Sequence, residues 1–315
     1  MLDKCRRDQW SIDDLDWSVP PPALPRDKEE AVVQAFLDMA GIEQLAGALF
    51  ETQREKTDDP TLTKIFSTFV ADEKRHSAVA ARLSRHYNVH HYRDYKESPA
   101  LTNFRPHFLR LVRDTSPEIA NAYITSGELI LDVALLRSLD DYVADDMSHR
   151  AMHLINRDES RHIAIDFHMT EYYCSDEYQA LLARRPRTSK RRFAKMLGNI
   201  AVMMWYVRPF LQQVFLTPMD RTDPSGRRIN EAFKRIQLVL RKPTVARSPF
   251  SQMMLRFQEL YNHPVIGKMF GGVLLRLLGA DDRAARILFT QEELQRTQAM
   301  SFDELAEEAL GIKYS

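Results

Sequence analysis

Two five-residue segments with one pattern, Asp-Glu-x-Arg-His, constrain this chain more than any other feature. They occupy residues 72–76 and 158–162, and each follows a lone glutamate in an apolar stretch, Glu43 and Glu128. The separation between the lone glutamate and the glutamate of its segment is 30 residues in the first case (43 to 73) and 31 in the second (128 to 159). The chain therefore carries two matched sets of carboxylate and imidazole groups.

The spacing predicts that both sets lie at equal heights in two helical hairpins. A glutamate and a histidine three residues apart share one face of a helix. The midpoint of 43 and 73 is residue 58, inside the helix-breaking sequence 57–60, and the midpoint of 128 and 159 lies beside the turn sequence 144–146. Two such hairpins packed face to face make a four-helix bundle with an inward dinuclear metal site. Its six candidate ligands are Glu43, Glu73, His76, Glu128, Glu159 and His162.

The residue types indicate which metal such a site would hold. Carboxylates with one imidazole per metal suit iron or manganese, and the absence of thiolates disfavours structural zinc. A histidine that binds a metal usually donates its other ring N–H to a carboxylate. We therefore expect a crossed arrangement in which Asp72 orients His162 and Asp158 orients His76.

Two further aspartates follow candidate ligands by four residues, Asp132 after Glu128 and Asp166 after His162. They are candidates for additional ligands or proton relays. The favoured expectation is an ordinary ion pair with one of the two arginines of the repeated segments, Arg75 and Arg161. Small residues beside Glu43, including Gly47, allow either open space for a substrate or close helix packing.

Composition and charge limit the other function classes. The 315 residues include 44 basic and 44 acidic side chains, and this balance argues against a nucleic-acid partner. Cys5 and Cys174 are too few for a disulfide framework. The N-terminus lacks the apolar core of a signal peptide, so a cytoplasmic protein is expected.

The sequence favours helix throughout and predicts an all-α fold in three parts. Residues 1–28 hold four prolines and are expected to form an arm, residues 29–175 the four-helix bundle, and residues 176–315 a helical C-terminal extension that packs on the bundle. Predicted helices cover residues 28–56, 60–87, 104–112, 117–142, 148–174, 227–240, 249–261, 264–278 and 291–310.

Two segments between bundle and C-terminus have alternative interpretations. The apolar segment 196–218 is expected to be a buried helix, with a membrane contact as the alternative. The basic run 184–192 is expected to be a solvated helix start. The alternative for this run is a docking site for an acidic carrier protein or an anionic membrane surface.

The order Glu, Glu-x-x-His, Glu, Glu-x-x-His resembles the ferritin-like di-iron carboxylate superfamily over residues 29–175. This resemblance implies a ferritin-like four-helix bundle with additional C-terminal helices, two iron ions with Glu73 and Glu159 as bridges, and O2 as co-substrate. The match is partial for the p-aminobenzoate N-oxygenases, which have a third histidine where this chain has Ile155, and for bacterial multicomponent monooxygenase hydroxylases. Ala80 replaces the tyrosine of radical-generating reductase subunits.

The function implied by the resemblance is that of a di-iron oxidase or oxygenase. It would hydroxylate, desaturate or N-oxygenate an apolar or carrier-bound organic substrate. Because the sequence has no flavin or iron–sulfur signature, an external electron donor such as a reductase or ferredoxin is expected. A manganese–iron site and a homodimer remain open. The alternatives are a ferroxidase or metal-storage protein, and a helical interaction module with a structural metal.

Overall fold

The computed structural model of the chain describes residues 1–184, 189–278 and 281–313, and these contain helices and no strand. This confirms the predicted all-α fold. The α-helices are α1 (Leu2–Arg7), α2 (Arg26–Lys56), α3 (Pro60–Tyr87), α4 (Pro99–Asp114), α5 (Pro117–Ile130), α6 (Arg137–Val143), α7 (Asp146–Cys174), α8 (Asp176–Arg184), α9 (Lys190–Phe210), α10 (Thr217–Thr222), α11 (Arg227–Leu240), α12 (Pro243–Ala246), α13 (Pro249–Asn262), α14 (Ile266–Leu278), α15 (Asp282–Ala285), α16 (Gln291–Ala299) and α17 (Phe302–Lys313).

Two hairpins form the core, and both turn where the sequence predicts. Between α2 and α3, the Asp59 side chain accepts hydrogen bonds from the first backbone N–H groups of α3, and Pro60 fits the first helical position. Between α6 and α7, Ala144 adopts a left-handed conformation with φ of 54°, and Asp145 caps α7. The positions of these two turns determine which residues of the paired helices lie at the same level.

The four long helices pack around one interior. Helix α2 contacts α3 and α5, and α7 contacts α3 and α5. Large side chains that are fully buried between them include Phe36, Phe66, Phe69 and Phe167. This apolar packing is what stabilises the bundle, because the polar groups within it are costly to bury.

The helix that carries Glu128 contains an irregularity. After α5 the chain forms a π-helical turn at Leu131–Leu136 before α6 resumes the α-helix. A π-bulge adds one residue to a helical turn and redirects the side chains on either side of it. The stretch Pro117–Val143 is apolar and long enough to cross a membrane, but most of its residues are buried inside the structure. Its position against α2 and α7 is that of a core helix.

Several predicted boundaries differ from the structure. The N-terminal arm was expected to lack helix, yet it contains α1 and a 3₁₀ turn at Ile12–Asp14, and α2 begins at residue 26. The predicted helix 291–310 is two helices. Ser301 separates them, because its hydroxyl accepts a hydrogen bond from the backbone N–H of Glu304 and its own backbone N–H donates to the Glu304 carboxylate. This reciprocal cap starts a new helix.

Several of the C-terminal helices contact helices of residues 29–175, and one expectation about this region is wrong. Helix α17 contacts α7, α11 contacts α5, and α9 contacts α4. The segment 196–218 was expected to be a buried helix, yet in α9 Leu197, Val202 and Trp205 are 49%, 44% and 78% exposed. Only one side of α9 packs on the protein. The basic run 184–192 falls partly on residues 185–188, outside the described residues.

Candidate metal centre

The structure brings all six predicted ligand side chains to one place inside the bundle. Glu43 projects from α2 and Glu128 from α5, and the two Glu-x-x-His pairs project from α3 and α7. Each of the six is at most 3% exposed. They form two groups of four whose ligand atoms lie within 4.8 Å of one another. The groups are Glu43, Glu73, His76, Glu159 and Glu73, Glu128, Glu159, His162.

Two residues belong to both groups, Glu73 and Glu159, one from each hairpin. The Nδ1 atom of His76 lies 2.9 Å from Glu159 Oε1. The Nδ1 atom of His162 lies 2.7 Å from Glu159 Oε2 and 3.1 Å from Glu73 Oε1. Both imidazoles therefore turn Nδ1 towards the two shared carboxylates.

The other ring nitrogen of each histidine faces an aspartate of the opposite hairpin. His76 Nε2 lies 3.1 Å from Asp158 Oδ2, and His162 Nε2 lies 3.5 Å from Asp72 Oδ2. This is the crossed arrangement that the sequence suggests. A carboxylate at Nε2 favours the tautomer with its proton there, which leaves the Nδ1 lone pair for a metal.

The arginines of the repeated segments bind these same two aspartates. Arg161 Nη2 lies 2.6 Å from Asp158 Oδ1 and 3.2 Å from Asp72 Oδ2. Arg75 Nη2 contacts Asp72 and lies 2.9 Å from Asp158 Oδ2. The expectation that Asp132 and Asp166 are their partners is therefore wrong. The arginines instead cross-link the two hairpins.

The N-terminal arm closes this network, which the sequence did not indicate. Trp10 Nε1 donates to Asp158 Oδ2 at 2.7 Å, and Gln9 Nε2 donates to Asp72 Oδ1 at 3.2 Å. The Arg75 guanidinium lies 5.0 Å from the centre of the Trp10 ring. These contacts join residues 63 and 148 positions apart, so no local pattern could have revealed them.

The carboxylates of the centre are strongly perturbed. Burial raises the pKa of Glu43 to about 7, and the nearby Glu159 charge adds to the effect. Burial and Glu159 also raise the pKa values of Glu73 and Glu128 well above the ordinary range. For Glu159 itself, burial opposes ionisation but is outweighed by His162 and His76, so its pKa falls. Glu159 is the carboxylate that stays ionised.

The pKa values of the two histidines are raised as well. Burial disfavours the imidazolium, but Glu159 and the aspartates outweigh it, which raises the pKa of His76 to about 10 and that of His162 to about 9. Asp158 and Asp72 have lowered pKa values, because their hydrogen bonds to the histidines overcome the effect of burial. In the metal-free protein the histidines and several of the glutamates therefore carry protons, and metal ions must displace these protons to bind.

The donor set fits two divalent metal ions. Both oxygens of Glu43 and one of Glu128 are buried without a hydrogen-bond partner among the described residues. Four ionised glutamates would carry four negative charges, which two divalent cations balance. A buried carboxylate without a partner is costly, and a metal ion removes that cost. Oxygen and imidazole donors suit iron and manganese.

Asp132 and Asp166 extend the acidic region on the Glu128 side. Both are at most 1% exposed, and both contribute to the raised pKa of Glu128. Neither oxygen of Asp166 has a hydrogen-bond partner among the described residues. Burial also raises the pKa of Asp166 well above its usual range.

Apolar groups surround the rest of the centre. The Phe69 and Phe50 rings lie 4.2 and 4.9 Å from the His162 ring, measured between centroids. Ile155 is fully buried at the position of a third histidine, and an added Cβ at Gly47 would meet Glu73 Cβ at 3.2 Å. Gly47 therefore serves close helix packing beside Glu73.

Comparison with known proteins gives one informative result. Residues 42–220 match the family described as P-aminobenzoate N-oxygenase AurF, which covers more than half of the 315 residues. The match includes all six candidate ligands and continues beyond the bundle through α9. A search of curated proteins finds no match. Sequence and buried cluster agree, and the chain belongs to the P-aminobenzoate N-oxygenase AurF family of non-haem di-iron oxygenases.

Proposed function

We propose that this protein activates O2 at a dinuclear iron site to oxidise a small organic molecule. The observation that carries the proposal is the pair of overlapping four-residue groups that share Glu73 and Glu159. Two overlapping groups suit two adjacent metal ions better than one ion, because two carboxylates are available to both positions. A manganese–iron pair would use the same donors.

The residue assignment follows from this arrangement. Glu43 and His76 would bind one ion, Glu128 and His162 the other, with the two shared glutamates as bridges. Asp132 and Asp166 are proposed as additional ligands or proton relays beside the Glu128 ion. The bundle at residues 29–175 would hold the centre, and the extension at residues 176–315 would cover it.

The protein's side chains orient the two metal-binding imidazoles and exclude bulk water from the centre. Asp158 and Asp72 hold the imidazole tautomers that present Nδ1 to the centre. Phe50, Phe69 and the surrounding core keep bulk water away, which strengthens electrostatic interactions inside. When bound, a pair of iron ions would supply electrons to dioxygen. The dioxygen activated in this way would oxidise the substrate.

The substrate proposed is an apolar or carrier-bound organic molecule that is hydroxylated, desaturated or N-oxygenated. The family match supports a small-molecule substrate. The electrons would come from an external reductase or ferredoxin. A cytoplasmic location, a possible homodimer arrangement and the absence of a nucleic-acid partner are further parts of the proposal.

Oxygen consumption by the reduced, iron-loaded protein tests this function. The protein is loaded with ferrous iron without oxygen, exposed to O2, and followed by oxygen uptake and visible absorption. We expect uptake with a transient visible band, and renewed uptake in each cycle of chemical reduction. Uptake that occurs once and leaves accumulating ferric mineral would instead indicate a ferroxidase. No uptake by fully loaded protein would indicate a structural metal.

A further inference from the structure

Helices α9 and α14 present large apolar side chains to solvent. Trp205 on α9 is 78% exposed, and Met269 and Val273 on α14 are 67% and 51% exposed. The two helices contact each other, so their exposed sides belong to one region of the surface. Exposed apolar groups that cluster in this way mark interaction sites.

The charges of these two helices all have one sign. Neither sequence contains an aspartate or glutamate, although the whole chain is formally neutral. The basic residues whose side chains the structure describes are exposed, and none forms an ion pair within the described residues. They are Arg191, Lys195, Arg208, Lys268 and Arg276.

Helical spacing puts basic and apolar side chains on the same side. In α9, Arg191, Lys195, Val202 and Trp205 follow one another by four, seven and three residues, which keeps them on one face. In α14, Met269, Val273 and Arg276 follow one another by four and three residues and share a face, and Lys268 lies beside Met269 at the edge of that face. Long basic side chains beside tryptophan and methionine are typical of helices that lie in a membrane interface.

An apolar groove adjoins this region. It lies between α13 and α14, has a volume of about 440 Å3, and is lined by Met253, Leu260 and Leu274. Arg256 also lines it, is exposed, and has no ion-pair partner among the described residues. The groove thus places a guanidinium, which can pair with an anionic headgroup, beside apolar side chains.

We propose that the exposed sides of α9 and α14 bind the surface of an anionic lipid bilayer. A second copy of the chain is a poorer occupant, because a symmetric contact would place like charges against each other. An acidic carrier protein would account for the basic residues but not for the exposed tryptophan and methionine. The proposal is independent of the metal centre, which lies in the interior of the bundle.

Vesicle binding tests the proposal directly. The full-length protein is sedimented with vesicles of phosphatidylcholine alone and with vesicles that also contain phosphatidylserine, at low and high salt. We expect partitioning to the phosphatidylserine vesicles only, weakened by salt, because anionic lipids attract basic side chains electrostatically. The fluorescence of Trp205 should shift to the blue on binding, and this shift should be missing in Trp205→Phe.

Matched variants separate charge from apolar contact. Each of Lys268→Gln and Arg276→Gln should lower the partition coefficient about fivefold, the effect of one basic residue near an anionic leaflet. Met269→Gln should lower it as well. Lys64→Gln and Val89→Gln are controls, since both residues are exposed and lie on α3 or directly after it, away from α9 and α14. Circular dichroism verifies that each variant is folded.

Three results would overturn the proposal. The first is no binding to either vesicle type. The second is equal binding to both types, which would remove the role of the basic residues. The third is a Trp205 emission shift that depends on protein concentration without lipid, which would assign the region to a contact between copies of the chain.

Discussion

Asp158 shows at the scale of single residues how the centre is held. Its Oδ2 atom lies within hydrogen-bond distance of His76 Nε2, Trp10 Nε1 and Arg75 Nη2, and its Oδ1 atom accepts from Arg161. Four donors keep this carboxylate ionised and fixed in direction. The orientation of the His76 ring therefore depends on groups that lie far away in the sequence.

Trp10→Phe should weaken metal binding without unfolding the protein. The substitution keeps an apolar ring but removes the indole N–H that fixes Asp158, so His76 loses part of its orientation. We expect a loss of metal affinity of about tenfold, the lower end of the effect of such supporting groups. Competition with a metal-sensitive dye measures it.

The control for this variant is Trp17→Phe. Trp17 donates its indole N–H to the backbone oxygen of Ile12 and not to the network around the histidines. Equal affinities in wild type and in Trp10→Phe would show that the arm does not position the centre.

Metal affinity should rise with pH across the neutral range. The pKa of Glu43 is raised to about 7, so in the metal-free protein this carboxyl is protonated below that pH and ionised above it. A metal ion must displace that proton, so binding is weaker on the acidic side and strengthens as pH rises through about 7. Calorimetric titration in buffers of different ionisation enthalpy measures the released protons. A pH-independent affinity without proton release would contradict the prediction.

At the residue scale, the sequence predicted those site residues whose positions follow from helical spacing. The six ligand candidates and the aspartates at 72 and 158 come together because two repeated segments and two glutamates obey helical periodicity. Trp10 and Gln9 could not be found, because their partners lie on other helices. The arginines were paired with the wrong aspartates, because one face of a helix offers several carboxylates at similar spacing.

At the scale of helices, close contact between α2 and α3 positions Glu73. An added Cβ at Gly47 would lie 3.2 Å from Glu73 Cβ, so Glu73 would have to move away by a few tenths of an ångström. Gly47→Ala should therefore lower the free energy of unfolding by about 1 kcal/mol, at the low end of overpacking costs, and also weaken metal binding. Chemical denaturation and metal titration measure the two effects.

Gly127→Ala is a matched comparison on α5. Nothing lies within 4 Å of a Cβ added there, although the next residue is Glu128. Alanine should raise the free energy of unfolding by about 0.5–1 kcal/mol through its better helix propensity, and leave metal binding unchanged. If both variants behave alike, contact with Glu73 is not what requires glycine at position 47.

Helix ends were predictable where capping residues mark them, as at Asp59 and Asp145. Three features of the helices were not predictable. The π-helical turn at Leu131–Leu136 has no sequence signature, and the break at Ser301 depends on a cap that also occurs in helix interiors. The exposure of one side of α9 depends on what packs against it, and hydropathy alone could not decide that.

At the scale of the whole molecule, metal binding should stabilise the fold. Without metal the bundle must bury four glutamates together, and protonation of some of them offsets the repulsion. Two cations that bind only the folded state should raise the thermal midpoint. At a free-metal concentration a hundredfold above Kd, the expected stabilisation is about 2.7 kcal/mol per site.

Differential scanning calorimetry with metal and with a chelator measures this effect. Asp38→Asn is a suitable control, because Asp38 is a buried carboxylate that accepts hydrogen bonds from Ser98 outside the centre. It should respond to metal as the wild type does. A thermal midpoint that is insensitive to metal in the wild type would contradict the account.

The metal content of the purified protein tests the central claim most directly. Elemental analysis after iron loading should give about two irons per chain for the wild type and for Asp38→Asn. Glu159→Ala removes a donor common to both groups and should reduce the content to near zero. If Glu159→Ala retains two irons per chain, or the wild type binds none, the dinuclear centre described by these six side chains does not exist.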